Sequence, residues 1–327
     1  MSSKENNLAK LVLNGDRRAL AQAITLIEST RDNHRNQAEN LLEEILPMTG
    51  KSIRLAITGV PGVGKSTFIE TFGLHLVSEG HRVAVLAVDP TSQISGGSIL
   101  GDKTRMDKLS QSKDAFIRPT PTAGSQGGVA RRTREVMLAF EAANFDVILV
   151  ETVGVGQSET AVADMVDMFL LLLLPGSGDE LQGLKRGIVE LADLVIVNKA
   201  DREMLAAAER VAVEYKNALN LLRPLSKYWD PRVVTCSALE GKGIGEIWKI
   251  IEDYRLIHSK EGAFEKKRLQ QAISWMWREV DDSLLTSFRS HSVVQEHIME
   301  MEKQVELGSL TPSVAAKTLL DIFSKDK

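Results

Sequence analysis

The fold of this chain is decided by the stretch Gly59-Val60-Pro61-Gly62-Val63-Gly64-Lys65-Ser66-Thr67. It matches the pattern G-x-x-x-x-G-K-[ST] of a phosphate-binding P-loop. Residues 53–58, just before it, are biased toward apolar types and predict a buried strand, and residues 68–78, just after it, predict a helix. A strand, a glycine-rich loop and a helix in this order are the context in which the pattern binds phosphate, so we predict a P-loop nucleotide-binding fold.

The loop is suited to anions for two physical reasons. Gly62 and Gly64 allow the backbone to curl so that several N–H groups point at phosphate oxygens. The helix that follows adds the positive end of its dipole. We expect an exposed Lys65 to reach the β- and γ-phosphates and the hydroxyl of Ser66 to bind Mg²⁺, so the whole of residues 59–67 is predicted to hold the nucleotide.

From residue 51 to about residue 257, predicted strands alternate with predicted helices. The strands are predicted at residues 53–58, 83–88, 115–117, 147–151, 168–174, 194–198 and 233–237. The helices are predicted at residues 68–78, 132–143, 180–192, 203–222 and 244–257. Such alternation gives a mostly parallel sheet with helices on both faces, so we predict an α/β fold of the P-loop NTPase class over this range.

The composition narrows the class of protein and its compartment. The 327 residues carry a formal net charge of -4, so no overall basic field favours nucleic acid. Cys236 is the one cysteine, which excludes a disulfide within the chain and fits a reducing cytosol. The strongest apolar run, residues 168–174, is too short to span a bilayer as a helix, and the N-terminus lacks the apolar stretch of a signal peptide. We expect a cytoplasmic protein with no nucleic-acid or membrane partner.

The run Asn198-Lys199-Ala200-Asp201 closes a predicted strand and matches the guanine-reading pattern N-K-x-D. The Asp201 carboxylate would accept hydrogen bonds from guanine N1–H and N2–H₂, and the Lys199 stem would cover the base. Adenine offers no such pair of donors, so a polar site of this kind rejects ATP. Ser237-Ala238-Leu239, at the end of the next predicted strand, fits the backbone-rich loop that completes guanine recognition. We therefore predict GTP and GDP as the nucleotides.

Acidic residues at other strand ends predict the metal site. Glu151 opens the run E-T-V-G after a predicted strand, where its carboxylate would contact Mg²⁺ directly or through water and the N–H of Gly154 would sense the γ-phosphate. Asp89, at the end of the second predicted strand, would face the Mg²⁺ shell. Asp102 lies in a long loop rich in Gly and Ser. It either swings in to the metal or the attacking water, or is a carboxylate in a turn.

Two further features leave alternatives open. Gln157 either positions the attacking water or is a solvated loop residue. Arg131, Arg132 and Arg134 open a predicted helix near these loops, and they either form a solvated helix face or contact an acidic partner or a phosphate. The residues alone do not decide between these alternatives.

Six motifs taken together resemble one family. They are GVPGVGKST, AVDPTS, GGSILGDKTRM, ETVGVGQSE, GDELQGLKRG and NKAD. The combination closely resembles the methylmalonyl-CoA-mutase-associated GTPases, which belong with the nickel-insertion and cobalamin-synthesis GTPases of the signal-recognition-particle class. The resemblance covers nearly the whole chain, and the sequence follows the family pattern at all six motifs.

The resemblance implies a function and further site residues. It implies a homodimeric GTPase that acts as a chaperone, gates the loading of adenosylcobalamin onto an acyl-CoA mutase of the methylmalonyl-CoA mutase type, and protects or reactivates that mutase. It assigns the metal and switch machinery to Asp89, Asp102 and Glu151. The predicted catalytic set is Lys65, Asp102 and Glu151. Residues 176–186 resemble a third switch, in which Asp179 and Lys185 respond to nucleotide or partner. Family members have also been labelled kinases of amino-acid transport proteins, so the alternative is a P-loop kinase or ATPase acting on such a protein.

Beyond about residue 263 the strand signals stop and an apolar stripe begins. Its members step by three or four positions along a predicted long helix: Ile273, Met276, Val280, Leu284 and Phe288. The stripe either docks on its own GTPase domain or pairs with a second copy of the chain. We predict three parts, namely an N-terminal helical extension at residues 1–50, a GTPase domain at residues 51–257 and a helical dimerisation arm at residues 258–327.

Overall fold

The computed structural model describes residues 5–88, 106–120, 126–152, 158–175, 186–220 and 226–325. Within these ranges one sheet of seven strands forms the centre of the fold. The strands are β1 (Ile53–Gly59), β2 (Val83–Val88), β3 (Ala115–Thr120), β4 (Val147–Thr152), β5 (Met168–Leu173), β6 (Leu194–Val197) and β7 (Arg232–Thr235). They pair in parallel, in the spatial order β3-β2-β4-β1-β5-β6-β7.

The central strand is β1, which lies between β4 and β5. Its side chains alternate between two apolar cores, so that Leu55 and Ile57 pack on one face of the sheet and Ala56 packs on the other. Every residue of β4, β5 and β6 is buried, which is why these strands read as continuous apolar runs. Because the strands are parallel, their carboxyl ends share one edge of the sheet, and ligands of such sheets bind at that edge.

Helices cover both faces of the sheet. In chain order they are α1 (Glu5–Leu13), α2 (Arg17–Glu28), α3 (Asp32–Ile45), α4 (Lys65–Ser78), α5 (Asp107–Ser110), α6 (Gln126–Ala142), α7 (Ser158–Ala163), α8 (Arg186–Leu191), α9 (Leu205–Asn220), α10 (Ile244–Lys260), α11 (Ala263–Ser290), α12 (Ser292–Glu306) and α13 (Pro312–Lys325). One core holds α4, α5 and α10, and the other holds α1 to α3 with α6 and α9. Among the helices of the described ranges, none is long and apolar enough to cross a bilayer.

The predicted α/β P-loop class is confirmed, while several predicted boundaries are wrong. Strand β3 continues to Thr120, three residues beyond the prediction, although Pro119 interrupts its pattern. Proline lacks an N–H donor and is tolerated here because β3 is an edge strand. Helix α6 begins six residues earlier than predicted, because Gly127 and Gly128 have low helix propensity and mask its first turn. Helix α1 lies within the predicted N-terminal helical extension, and α5 interrupts the predicted long loop.

The N-terminal helices pack against the sheet on the side of β3. Asp16 caps α2 by accepting hydrogen bonds from the N–H groups of Arg18 and Ala19, at 2.9 and 2.8 Å. The Arg17 guanidinium donates to the carbonyls of Lys113 and Ala115, both at 2.7 Å. The apolar face of α2 is buried in the same core as α6. These helices are therefore joined to the edge of the sheet by both polar and apolar contacts.

The chain divides into two compact units, Met1–Gln271 and Ala272–Lys327. The second unit contains the end of α11 with α12 and α13. Within it, the rings of Phe288 and Phe323 meet edge to face with centroids 5.5 Å apart, and Val294 is buried. Along the stripe on α11, in contrast, Ile273, Met276 and Leu284 are 49%, 52% and 50% exposed. The stripe therefore presents apolar side chains to solvent in a single chain.

Candidate nucleotide-binding site

The P-loop follows β1 directly. Gly62 and Gly64 have φ angles of +81° and +91°, in the left-handed region that glycine adopts at little cost. Gly64 also lies close to a side chain, because a Cβ at this position would be 2.9 Å from Nδ2 of Asn198. Helix α4 starts at Lys65 with no side-chain cap, so the N–H groups of its first turn remain the natural donors to an anion.

The other residues of the loop have distinct positions. Val63 is fully buried and anchors the loop in the apolar core, and its N–H donates to the carbonyl of Val60 at 3.2 Å. Pro61 and Thr67 are exposed. The loop is thus fixed at its centre and accessible to solvent on both sides of that anchor.

Lys65 is half-buried, and the expectation of an exposed side chain is wrong. Its ammonium donates to the carbonyl of Gly59 at 2.8 Å and to that of Val60 at 3.4 Å, so it lies across the loop. Burial lowers the pKa of Lys65, and the nearby Glu151 carboxylate opposes that shift. The side chain is therefore held at the phosphate-binding loop by its own backbone.

Ser66 and Glu151 meet beside the P-loop. The Ser66 hydroxyl donates to Oε1 of Glu151 at 3.4 Å, and Glu151 is buried near the end of β4. The next residue, Thr152, donates from its hydroxyl to that of Thr58 at 2.8 Å, which joins the ends of β4 and β1. A hydroxyl and a carboxylate are the oxygen donors that Mg²⁺ prefers, so these two residues fit a magnesium site.

Asn198 connects the base-recognition loops to the P-loop. Its Nδ2 donates to the carbonyl of Val63 at 2.9 Å. Its Oδ1 accepts from the N–H of Ala238 at 3.0 Å and from the thiol of Cys236 at 3.4 Å. One buried amide therefore holds together three segments that are distant in the sequence.

Lys199 and Asp201 lie on either side of this junction. Lys199 adopts a φ of +60°, and its ammonium donates to the carbonyl of Gly62 at 2.8 Å. Asp201 accepts a hydrogen bond from the Ser237 hydroxyl at 3.0 Å. Leu239, the last residue of the predicted guanine loop, is exposed. The structure thus gathers the P-loop, the N-K-x-D run and the Ser-Ala-Leu run at one edge of the sheet.

Sequence reasoning missed one contact and one role. The Thr71 hydroxyl, on the second turn of α4, donates to the carbonyl of Ala238 at 2.8 Å and ties this helix to the guanine loop. The residues around a threonine in a helix do not indicate a bond to a distant segment of the chain. Cys236 is buried, and burial raises the pKa of its thiol to about 12. The thiol serves the junction as a weak donor to Asn198.

The other predicted site residues lie outside the described residues. They are Asp89, Asp102, Gly154, Gln157, Asp179 and Lys185. Their assignment to the metal, the attacking water and the switches remains a prediction.

The fold and the site define a P-loop GTPase, in which Asn198, in the N-K-x-D run after β6, is hydrogen-bonded to the P-loop that follows the central strand. The chain belongs to the family described as "Methylmalonyl Co-A mutase-associated GTPase MeaB", whose sequence model matches residues 20–292. The family predicted from the six motifs and its GTPase activity are therefore confirmed.

The chain is also similar to two named relatives and to one solved structure. A Caulobacter vibrioides protein named "Putative GTPase" is 53% identical over 318 residues, which are 97% of this chain and 97% of that protein. The mouse protein "Methylmalonic aciduria type A homolog, mitochondrial" is 48% identical over 322 residues, 95% of this chain and 78% of the relative. A crystal structure described as "LAO/AO transport system kinase" matches with a TM-score of 0.79 and 37% identity, over 99% of each chain.

Proposed function

We propose that this GTPase is a nucleotide-gated chaperone of an adenosylcobalamin-dependent acyl-CoA mutase of the methylmalonyl-CoA mutase type. The observation that carries the proposal is the family match, whose description names association with that mutase. The match runs over residues 20–292, so it includes helices before and after the sheet as well as the nucleotide loops. The mouse relative's name refers to methylmalonic aciduria and supports the same partner. The proposed task is to gate cofactor loading and to protect or reactivate the mutase.

In the proposed reaction, water attacks the γ-phosphorus of GTP and the bond to the β–γ bridging oxygen breaks, giving GDP and phosphate. The N–H groups of the P-loop and of the first turn of α4 hold the phosphate oxygens, and Lys65 stabilises their negative charge. Mg²⁺, when bound, would supply positive charge that offsets the negative charge of the phosphates. We assign the binding of Mg²⁺ to Ser66 and Glu151, with Asp89 and Asp102 as further ligands or water-positioning residues.

Guanine selectivity is assigned to the loop after β6. Ser237 donates to the Asp201 carboxylate and so orients it, leaving its remaining acceptor positions for guanine N1–H and N2–H₂. The contact of the Lys199 ammonium with Gly62 extends the lysine stem over the loop, where it can cover a base. A hydrogen bond to a charged group contributes about 1.5–3 kcal/mol. Two such bonds to guanine, with none available from adenine, favour GTP over ATP strongly.

Communication with the mutase is assigned to the segments that carry the remaining predicted residues. Gly154 would sense the γ-phosphate, and Asp179 and Lys185 would respond to nucleotide or partner. No arginine finger is predicted from the sequence, so we expect slow intrinsic hydrolysis that the mutase accelerates.

We propose that the chain acts as a homodimer in the cytoplasm, and the exposed stripe on α11 supports the dimer. Burying one large apolar side chain contributes about 1.5–3 kcal/mol. Phe288 already packs on Phe323 within the chain, so four such residues on each of two chains remain to offset an association cost of about 4–15 kcal/mol, namely Ile273, Met276, Val280 and Leu284. A two-fold arrangement is the commonest way for one surface to pair with its own copy.

The test mixes this chain with purified acyl-CoA mutases that use adenosylcobalamin. We expect a complex by size-exclusion chromatography, faster phosphate release from GTP with the mutase than without it, and slower mutase inactivation with GTP than with GDP. Lys65→Ala serves as the control, since it should bind the mutase but release phosphate slowly. If methylmalonyl-, isobutyryl- and ethylmalonyl-CoA mutases neither bind nor alter phosphate release, the proposal is wrong.

The alternative is a P-loop kinase or ATPase that acts on an amino-acid transport protein. It is favoured by the name of the matching crystal structure, "LAO/AO transport system kinase". Such an enzyme would transfer the γ-phosphoryl group to the transport protein and would release little phosphate without it. Steady phosphate release with GTP alone, and no labelled transport protein after incubation with γ-labelled nucleotide, would exclude this alternative.

A further inference from the structure

A cavity of about 420 Å³ lies at the edge of the sheet where β5 and β6 begin. Asp193, the residue just before β6, and Phe169, the second residue of β5, both line it. The nucleotide loops follow the carboxyl ends of the strands, so this cavity lies at the opposite edge of the sheet. Its volume is in the range of about 300–1,000 Å³ that is typical of small-molecule sites.

The carboxyl group of Asp193 has one oxygen bonded and one oxygen open. Asp193 is only 6% exposed, and its Oδ2 accepts a hydrogen bond from the N–H of Phe169 at 2.9 Å. Within the part of the chain that the structure describes, no group donates to its Oδ1. A buried acceptor without a donor costs free energy. Because Asp193 lines the cavity, the open oxygen is available to a donor on a ligand that enters it.

The imidazole beside this carboxyl is already bonded on both sides. His258 is buried, and its Nδ1 lies 2.9 Å from the carbonyl of Tyr254, so this nitrogen carries the proton. Its Nε2 therefore accepts from the Ser226 hydroxyl at 3.0 Å, and the Ser226 oxygen accepts in turn from the N–H of Tyr228 at 3.2 Å. The His258 ring thus contributes an aromatic surface to the cavity, while the Asp193 carboxyl contributes the open acceptor.

The aromatic walls of the cavity are formed by Phe169, Tyr228, Tyr254 and His258. The rings of Tyr254 and His258 stack, with centroids 3.9 Å apart and an angle of 28° between their planes. The ring of Tyr228 meets that of His258 edge to face, at 6.4 Å. Pairs of aromatic rings contribute about 0.5–1.5 kcal/mol beyond the burial of their area, so these walls favour a flat aromatic ligand.

The charges in the lining disfavour a cationic ligand. Lys227, Lys266 and Lys267 all line the cavity. Burial raises the pKa of Asp193, and the Lys267 ammonium opposes that shift, so one positive charge already acts on this carboxyl. A second cation beside Asp193 would be repelled by the lysines. A neutral N–H donor avoids this repulsion and still satisfies the open oxygen.

We propose that this cavity binds a neutral, planar aromatic heterocycle that carries an N–H donor, with the donor on Oδ1 of Asp193 and the ring against the aromatic walls. The open acceptor selects the donor, the aromatic walls select the flat ring, and the lysines select against positive charge. This site does not depend on the proposed mutase partner.

The test uses the full chain saturated with GDP and Mg²⁺, so that the nucleotide site is filled before the probes are added. The probes are indole and benzofuran, two neutral bicyclic molecules of nearly the same shape, of which indole has an N–H group where benzofuran has a ring oxygen. They are titrated by ligand-observed NMR at pH 8, which favours the carboxylate form of Asp193. We expect saturable binding of indole, roughly tenfold or more tighter than that of benzofuran, because a hydrogen bond to a charged group contributes at least about one decade in affinity.

Asp193→Asn separates a contact with the ligand from a structural role. The amide oxygen can keep accepting from the N–H of Phe169, which leaves the NH₂ group, a donor, at the position of the open oxygen. Indole should then lose its advantage over benzofuran. Asp230→Asn is the matched control, because Asp230 is exposed and does not line the cavity, and it should leave both affinities unchanged.

If Asp193→Asn does not fold, Tyr228→Leu provides a second variant, since Tyr228 is partly exposed. Loss of its ring should weaken both probes by roughly two- to tenfold while the ratio of their affinities stays the same. Circular dichroism checks that each variant is folded. The proposal is overturned by non-saturable binding of indole, by equal affinities for indole and benzofuran in the unmodified chain, by an unchanged ratio in Asp193→Asn, or by unchanged affinities in Tyr228→Leu.

Discussion

Replacing Asn198 by alanine tests whether one amide holds the nucleotide site together. The change removes the donor to the Val63 carbonyl and the acceptor of the Ala238 N–H, at 2.9 and 3.0 Å, and both of those partners belong to buried residues. A buried polar group left without a partner costs about 1–3 kcal/mol. With two such groups left unpaired, we therefore expect the free energy of unfolding of the nucleotide-free protein to fall by about 2–6 kcal/mol.

Nucleotide affinity should fall as well, because the P-loop is no longer tied to the guanine loop. A loss of about 1.4 kcal/mol in binding corresponds to tenfold in the dissociation constant of GDP, and we expect at least that. Urea unfolding gives the first quantity and GDP titration gives the second. Asn220→Ala, at an exposed position at the end of α9, is the control and should change neither. Unchanged GDP affinity in Asn198→Ala would refute the structural role assigned to this amide.

Four further outcomes follow from the site and the arm. Asp201→Asn should lose its preference for GTP over ATP and XTP in competition binding, because the new amide can present a donor to guanine N1–H; an undiminished preference would place base recognition elsewhere. Lys65→Ala should slow phosphate release by roughly tenfold or more while circular dichroism shows an intact fold; a wild-type rate would remove Lys65 from the catalytic set. A chain ending at Gln271 keeps the contacts of Arg268 with Asp167 and the carbonyls of Gly50 and Ser52, so it should remain folded and still bind GTP. Because it lacks the stripe, it should be a monomer by light scattering, and a persistent dimer would put the interface elsewhere. Cys236, whose thiol pKa is raised to about 12, should resist iodoacetamide at pH 8 in the folded protein and react after unfolding, and rapid alkylation of the folded protein would contradict its burial.

The sequence predicted those parts of the site that are encoded by short sequence motifs. The P-loop is recognisable because the spacing of Gly64 and Lys65 directly expresses the geometry of a phosphate contact. The N-K-x-D run is recognisable for a similar reason, since Asp201 follows the end of β6 at the position where the pattern places a guanine-binding carboxylate. The fold class followed from the alternation of apolar strands and helices, which a parallel sheet requires.

The parts that the sequence did not predict depend on which segments meet in space. Nothing near Thr71 indicates that its hydroxyl will bond the carbonyl of Ala238, 167 positions away along the chain. Likewise, the half-buried position of Lys65 results from contacts with the carbonyls of its own loop. The prediction ended β3 at residue 117, whereas the strand continues through Pro119 to Thr120, which is tolerated because spatial order makes β3 an edge strand.

The attachment of α2 to β3 has a consequence for the behaviour of the protein in a concentrated solution. An edge strand offers unpaired backbone groups to any passing chain, and proteins with such edges tend to join sheet to sheet and precipitate. Here the guanidinium of Arg17 donates to the carbonyls of Lys113 and Ala115, just before and at the start of β3, and Pro119, near the end of β3, has no N–H group to donate. The N-terminal extension therefore leaves this edge strand with fewer free backbone groups for another chain to pair with, which should lower the tendency of the central sheet to aggregate.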